Sequence, residues 1–206
     1  GSTDKTIEIA ESYGAKIFHQ DWLGYGKQKN FALSQCSNEW VLSLDADEIL
    51  TDDLIAELEL LDLESDVVGY QIARKLFVGD KFICWGGYYP DYQLRLFKNS
   101  LGGFNEVAVH ESVQLPASAK ICKLKTPLHH FSYDSLEQMD AAFINFAKLS
   151  TKKRNRWLNP LRAVFNFFYT FLYKYFLRLG ILHGVTGLRL AWIHSKYSFL
   201  KYIYRL

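Results

Sequence analysis

Residues 40–48 read Trp-Val-Leu-Ser-Leu-Asp-Ala-Asp-Glu, an apolar run that ends abruptly in acids. The β-rich part, Glu39 to Leu44, predicts a strand, and open α/β sheets bind ligands at the carboxyl ends of their strands. Asp45 and Asp47 stand one residue apart beyond that end. Two such carboxylates can converge on a hard divalent cation, Mg²⁺ or Mn²⁺, which keeps its other positions for water and a diphosphate. The competing reading is a solvated loop whose acids favour the N-terminus of a helix starting near Asp52.

The flanking sequence alternates helix and strand patterns. Upstream, Asp4 to Tyr13 predicts a helix stopped by Gly14, Lys16 to His19 a short strand, and Gly26 to Cys36 a second helix. Downstream, Asp52 to Leu61 predicts a helix with acids in its first turn, Val67 to Leu76 a strand, and Gly79-Asp80 a turn. A glycine-rich stretch, Gly86 to Tyr89, leads into a strand at Gln93 to Phe97, and Ser135 to Leu149 is an amphipathic helix. Pro160 marks a further helix start. Such alternation predicts the α/β class.

With 206 residues, 49% of them apolar, the chain can bury one substantial core and a small addition. Its net charge of +2 hides a division. Residues 151–206 hold 11 Lys and Arg and no acid, so 24 − 11 = 13 bases face all 22 acids in residues 1–150, a balance of −9. We therefore expect a catalytic domain over 1–150 and a basic, aromatic helical region over 151–206. Trp157, Phe165, Tyr169 and Trp192 among those cations suit an anionic lipid surface. Stacking aromatics with cations also suit single-stranded nucleic acid, but the expected partner is the membrane and not nucleic acid. Leu161 to Leu182 is about as long as a bilayer span, yet Arg162, Lys174 and Arg178 interrupt it. A central cation costs roughly 2.5–3.5 kcal/mol, so lying in the interface is expected rather than crossing. Cys36, Cys84 and Cys122 are scattered and odd in number, and Gly1 to Thr6 is polar without a leader pattern. A peripheral position on the cytoplasmic face of the inner membrane follows as the expectation.

Five ordered motifs then carry a resemblance. GSTDKT at 1–6, GYGKQKNFAL at 24–33, WVLSLDADE at 40–48, GGYYPDYQLRLF at 86–97 and VHE at 109–111 resemble the family 2 glycosyltransferases of GT-A type. Within them the chain is most similar to the lipopolysaccharide core β-glucosyltransferases. The resemblance implies a Rossmann-like mixed sheet with flanking helices. It implies an inverting transfer of a hexose from a nucleotide-sugar donor to a membrane glycolipid such as lipopolysaccharide core.

Residue by residue, it implies that Asp45 and Asp47 hold the metal on the diphosphate, Asp47 as the more direct ligand. His110 would be a further metal ligand, with His129 and His130 competing for that role. Lys29 and Asn30 match a pair near the nucleotide, where a lysine neutralises phosphate charge. Asp91 matches the catalytic base, beyond a loop in which Gly86 and Gly87 let ligands approach the backbone. Gln93 and Arg95 alternate after it and face one side, Arg95 toward the donor. Tyr88, Tyr89 and Glu111 would meet the acceptor. Trp22 reads as core.

Relatives begin with a strand, a helix and a second strand before the GSTD motif, so their absence here predicts a weak or inactive polypeptide unless another segment supplies them. Two other classes stand against the transferase. A haloacid-dehalogenase-type hydrolase also ends a strand in D-x-D, but Ile49 occupies the place of its usual Thr or Val. A degenerate, non-catalytic module that binds sugar or lipid at the membrane is the alternative.

Overall fold

The computed structural model describes residues 2–106, 111–149 and 159–204. Near the N-terminus, helix α1 (Thr6–Ser12) is started by the Asp4 carboxylate, which accepts from the Thr6 N–H at 3.0 Å, and it buries no residue. Helix α2 (Tyr25–Ser34) follows Gly24, and β1 (Trp40–Leu42) and β2 (Glu48–Ile49) flank the acidic segment. Helix α3 (Asp52–Glu59) is capped by Thr51, whose Oγ1 accepts from the Leu54 N–H at 3.2 Å, and Asp52 and Asp53 complement its dipole. Leu54 from this helix is fully buried.

The sheet is organised on the 12-residue strand β3 (Val67–Val78). Then come β4 (Lys81–Phe82), β5 (Asp91–Lys98), the pair β6 (Gly103–Phe104) and β7 (Val113–Gln114), β8 (Lys120–Lys123) and β9 (Leu128–Tyr133). The strand order is β1-β5-β3-β9-β2. β5 runs antiparallel to both β1 and β3, whereas β8 and β9 run parallel to β3, so the sheet is mixed as expected. Ile72 at 0% exposure, with Leu54, Tyr70, Leu96 and Leu128, forms the principal core. Each such side chain contributes about 1.5–3 kcal/mol by leaving water.

Helix α4 (Leu136–Leu149), helix α5 (Asn159–Leu172), a π-helical turn at Tyr173–Leu177, a 3₁₀ turn at Gly180–His183 and helix α6 (Val185–Ile203) complete the chain. Leu190 of α6 shares a second core with Val78, Ile83 and Met139, which fastens α6 to α4 and the sheet. The approach is close: a Cβ on Gly187 would fall 1.8 Å from the Gly180 carbonyl oxygen. No described helix is long and apolar enough to cross a membrane.

The sequence misleads at Lys16–His19. No strand forms over 15–24, and Ile17 and Phe18 lie exposed. Local alternation makes a strand only where a neighbour supplies hydrogen-bond partners, and no described strand pairs there. The proposed boundary at 150/151 lies outside the described residues.

Candidate active site

The turn after β1 folds on itself because of Glu48. Its Oε2 accepts from the Asp45 N–H at 3.1 Å, while its own N–H donates to the Asp45 carbonyl at 3.0 Å. The Glu48 side chain is 0% exposed, and its other oxygen accepts from Arg95 Nη2 and, at 3.4 Å, from Arg74 Nη1. A buried carboxylate is tolerated only with such partners. Arg74 on β3 then donates through Nε and Nη2 to Asp91 Oδ2 at 2.9 and 2.6 Å. Gln93 Nε2 donates to Asp91 Oδ1 at 2.8 Å.

On the other flank Asp45 accepts from Arg95 Nη2 at 2.7 Å and pairs with Lys29 Nζ at 2.7 Å. Lys29 in turn pairs with Glu111 at 2.8 Å. One continuous chain of opposite charges therefore runs Glu111, Lys29, Asp45, Arg95, Glu48, Arg74, Asp91. It joins the acids after β1 to Asp91 at the start of β5, across α2, β3 and β5.

Burial alone would raise the Asp45 carboxyl, but Lys29 and Arg95 outweigh it and hold it at about 2, below its ordinary 3.8. A depressed folded-state pKa adds stability that is fully present above the unfolded value and is lost as pH falls through the folded one. We expect the melting temperature of wild type, with chelator present, to fall more steeply than that of Asp45→Asn between about pH 4 and pH 2. Parallel curves would show that these contacts do not persist in solution.

Asp47 is the more accessible acid, with 42% of its side chain exposed, and His130 Nε2 lies 3.2 Å from its Oδ2. The Phe131 N–H donates to the Asp47 carbonyl at 2.8 Å, so strand β9 brings this histidine in. Burial lowers the His130 pKa, as does Arg74, although Asp47 works the other way. Ser132 Oγ lies 2.6 Å from the same Nε2, so a cation that took this imidazole as a ligand would have to displace that hydroxyl. His129, the neighbour, turns to the Phe77 and Phe131 rings at 5.0 and 6.2 Å between centroids. His110 lies outside the described residues.

As a test of fit for Mg²⁺ or Mn²⁺, no group of three or more His, Cys, Asp or Glu gathers as a cage among the described residues. Asp45 has both oxygens on cations, which leaves Asp47 and His130. One or two protein donors suit a cation that keeps waters and takes phosphate oxygens. The set therefore fits a diphosphate-borne cation rather than a resident one.

Several expected site residues have other work. Asn30 is a strut: its Nδ2 donates to the Phe104 carbonyl at 2.8 Å and its Oδ1 accepts from the Phe104 N–H at 2.7 Å. That occupies the amide expected at the nucleotide. Tyr88, expected at the acceptor, packs partly buried against the second core, with its hydroxyl buried and its ring edge-on to His194 at 5.2 Å. Tyr89 stands edge-on to Phe82 at 5.5 Å.

Gly86 and Gly87 adopt φ of 81° and 77°, which explains glycine at both. Both backbone groups of Gly86 bond to the C-terminal helices instead of facing a donor. Trp22, expected in the core, is 65% exposed and edge-on to Tyr25.

Glu48 and Arg74 escaped sequence reading, although both sit at the centre of the network. A run of three acids within four residues was the one available signal for Glu48. Nothing marked Arg74 within its apolar strand.

The model of glycosyl transferase family 2 matches residues 1–98. The chain is 30% identical to an uncharacterized glycosyltransferase of Rickettsia bellii (strain RML369-C), over 97% of this chain and 72% of that protein. It is 30% identical to another from Rickettsia conorii (strain ATCC VR-613 / Malish 7), over 90% and 71%. A lipopolysaccharide core biosynthesis glycosyltransferase of Rhizobium meliloti (strain 1021) is 29% identical over 97% of this chain and 77% of its own length. The mixed sheet with flanking helices has the GT-A arrangement implied by these likenesses, and on them together the chain belongs to glycosyl transferase family 2.

Proposed function

We propose that this glycosyltransferase moves a hexose from a nucleotide-sugar donor to a glycolipid of the lipopolysaccharide-core kind, with inversion at the anomeric carbon. The observation that carries the reading is the charge chain that ties Asp91 to the acids after β1. In it the Asp91 carboxylate takes the acceptor hydroxyl proton as that oxygen bonds to the anomeric carbon. The bond to the nucleotide diphosphate breaks, and its electron pair leaves with the diphosphate. Attack from the face opposite the leaving group inverts the centre. Arg74 and Gln93 fix the carboxylate, while Lys29 and Arg95 offer cations to phosphate oxygens. A Mg²⁺ or Mn²⁺ held by Asp47 and His130 would supply Lewis-acid stabilisation of the departing charge. The relative named for lipopolysaccharide core biosynthesis supports the acceptor class.

The test is thermal denaturation with Mn²⁺ and a panel of sugar nucleotides. A ligand at 100 times its dissociation constant stabilises by about 2.7 kcal/mol, which raises the melting temperature by roughly 5–10 °C at this size. The Mn²⁺-dependent share should vanish in Asp47→Ala. If every donor leaves the melting point unchanged and mass spectrometry finds no glycosylated lipid, the transfer reading fails. Donor binding without product would favour the non-catalytic module.

We propose that the enzyme works at the cytoplasmic face of the inner membrane, and the character of α5 supports the contact with a membrane surface. Leu161, Phe165, Phe168 and Leu172, at helical spacing, are all more than half exposed. Part of the positive charge is already used, since Arg189 pairs with Glu137 and Lys196 with Asp140. Binding should therefore combine apolar insertion with charge. We expect sedimentation with anionic vesicles at low salt, a partial loss at high salt, and a weaker salt-resistant fraction in Phe165→Glu. Failure to sediment at low salt would remove the membrane from this account.

A further inference from the structure

The loop between β4 and β5 carries the glycines and ends on Asp91, but the sheet does not hold its middle. Ile83 is anchored to the sheet by its N–H, which donates to the Leu76 carbonyl at 2.8 Å, and Asp91 opens β5 at the other end. Between them, three successive backbone N–H groups reach the C-terminal helices. Cys84 and Trp85 both donate to His183 Nε2, at 3.1 and 3.0 Å. Gly86 donates to the Arg178 carbonyl at 2.8 Å. The Gly86 carbonyl accepts from Lys174 Nζ at 3.0 Å, and the same ammonium lies 4.4 Å from the centre of the Tyr88 ring. A Cβ on Gly87 would touch the Arg178 side chain at 3.5 Å.

We propose that His183 and Lys174 are positioning residues, which hold the Cys84–Tyr89 loop so that the Asp91 carboxylate stays in register with the acids after β1. The inference rests on the reading of Asp91 as the base. One ring nitrogen accepting from two backbone donors must present its lone pair to both, so the ring proton sits on Nδ1. The contact is specific to an acceptor at that reach. A glutamine can offer its carbonyl oxygen there, and an alanine cannot. Because the histidine and the lysine both belong to the helical region with the exposed apolar stripe, the C-terminal helices become part of the catalytic apparatus. Without them, the loop before Asp91 would keep the Tyr89 ring on Phe82 and lose the backbone hydrogen bonds at 84–86.

The experiment compares wild type, His183→Ala, His183→Gln and Lys174→Met in the full chain. Its readouts are residue-resolved amide exchange, sugar-nucleotide affinity by calorimetry, and kcat for transfer. In His183→Ala the Cys84 and Trp85 amides should exchange faster, with kcat down roughly 10- to 100-fold, the scale of a small misplacement at a reacting centre. Donor affinity should hold, and His183→Gln should recover most of the loss. Lys174→Met should lower kcat in the same way, and it carries the test alone if His183→Ala does not fold.

A wild type that transfers no sugar overturns the function and this inference with it. An active wild type with unchanged kcat in His183→Ala and Lys174→Met overturns the positioning role alone. So does unaltered amide exchange in His183→Ala, or a donor affinity that falls in step with kcat.

Discussion

Asp91→Asn should slow sugar transfer by about 10²–10⁴-fold, the usual worth of a general base, while leaving sugar-nucleotide binding intact. The substitution keeps shape and keeps an oxygen for Arg74. It removes the group that accepts the proton. Asp91 has 40% of its side chain exposed, so substrate can reach it, and the Arg74 bonds at 2.9 and 2.6 Å leave its other oxygen with Gln93 as its one partner among the described residues. That second oxygen is where an acceptor hydroxyl would arrive. Arg74→Ala tests the same geometry from behind: the base remains but its orientation is lost, so kcat should fall by less than in Asp91→Asn. Single-turnover measurement with bound donor separates chemistry from binding. An unchanged rate in Asp91→Asn would remove this residue from the reaction, and a loss matched by weaker donor binding would assign it to the donor pocket instead.

The parts of this site legible in the sequence are those set by neighbours along the chain. An apolar run followed by Asp45 and Asp47 declares a strand end, and the acids Asp52 and Asp53 in a first turn declare a helix start. Both are local statements, and both hold. The choice between His129 and His130 is different in kind. Adjacent strand residues face opposite sides, so which one meets Asp47 depends on the register of β9 against β2, where Glu48 opposes His130. No local pattern fixes that register. Arg74 illustrates the same limit, since its value comes from bridging Glu48 and Asp91, which reach it from two other strands.

Tyr88 and Trp22 show how exposure misleads when it is inferred from residue type. Tyr88, beside two glycines, has the surroundings of a sugar platform, but the loop is pulled onto α6 and the ring packs against the second core. Trp22 has the composition of a core residue, yet its segment lacks a strand partner among the described residues and stays outside. In both cases a long-range contact, present or absent, decides. The helical region likewise reads from composition as a lipid anchor, and its grip on residues 84–86 becomes visible only when the turns at 173–183 are placed against the loop.

Glu48→Ala should cost about 3–5 kcal/mol of stability, the range for removing one partner from a buried ion pair. At roughly 2–4 °C per kcal/mol for a chain of this size, the melting temperature should fall by about 6–20 °C. The cause is what remains behind. The Arg95 side chain is 6% exposed, and its Nε is buried without a hydrogen-bond partner even with Glu48 in place. Truncation would strand its charge with Asp45 alone and open the turn that Glu48 closes on the Asp45 N–H. Desolvation argues the other way, because burying these ions is itself expensive and the intact cluster adds little net stability. The two effects separate in a double substitution. Glu48→Leu with Arg95→Met removes both ions, and should recover most of the stability while abolishing transfer, since Asp45 then loses the cation that Arg95 supplied. A Glu48→Ala chain that melts within about 0.5 kcal/mol of wild type, the range of ordinary surface changes, would mean that water reaches this carboxylate and that the charge chain is not a buried framework.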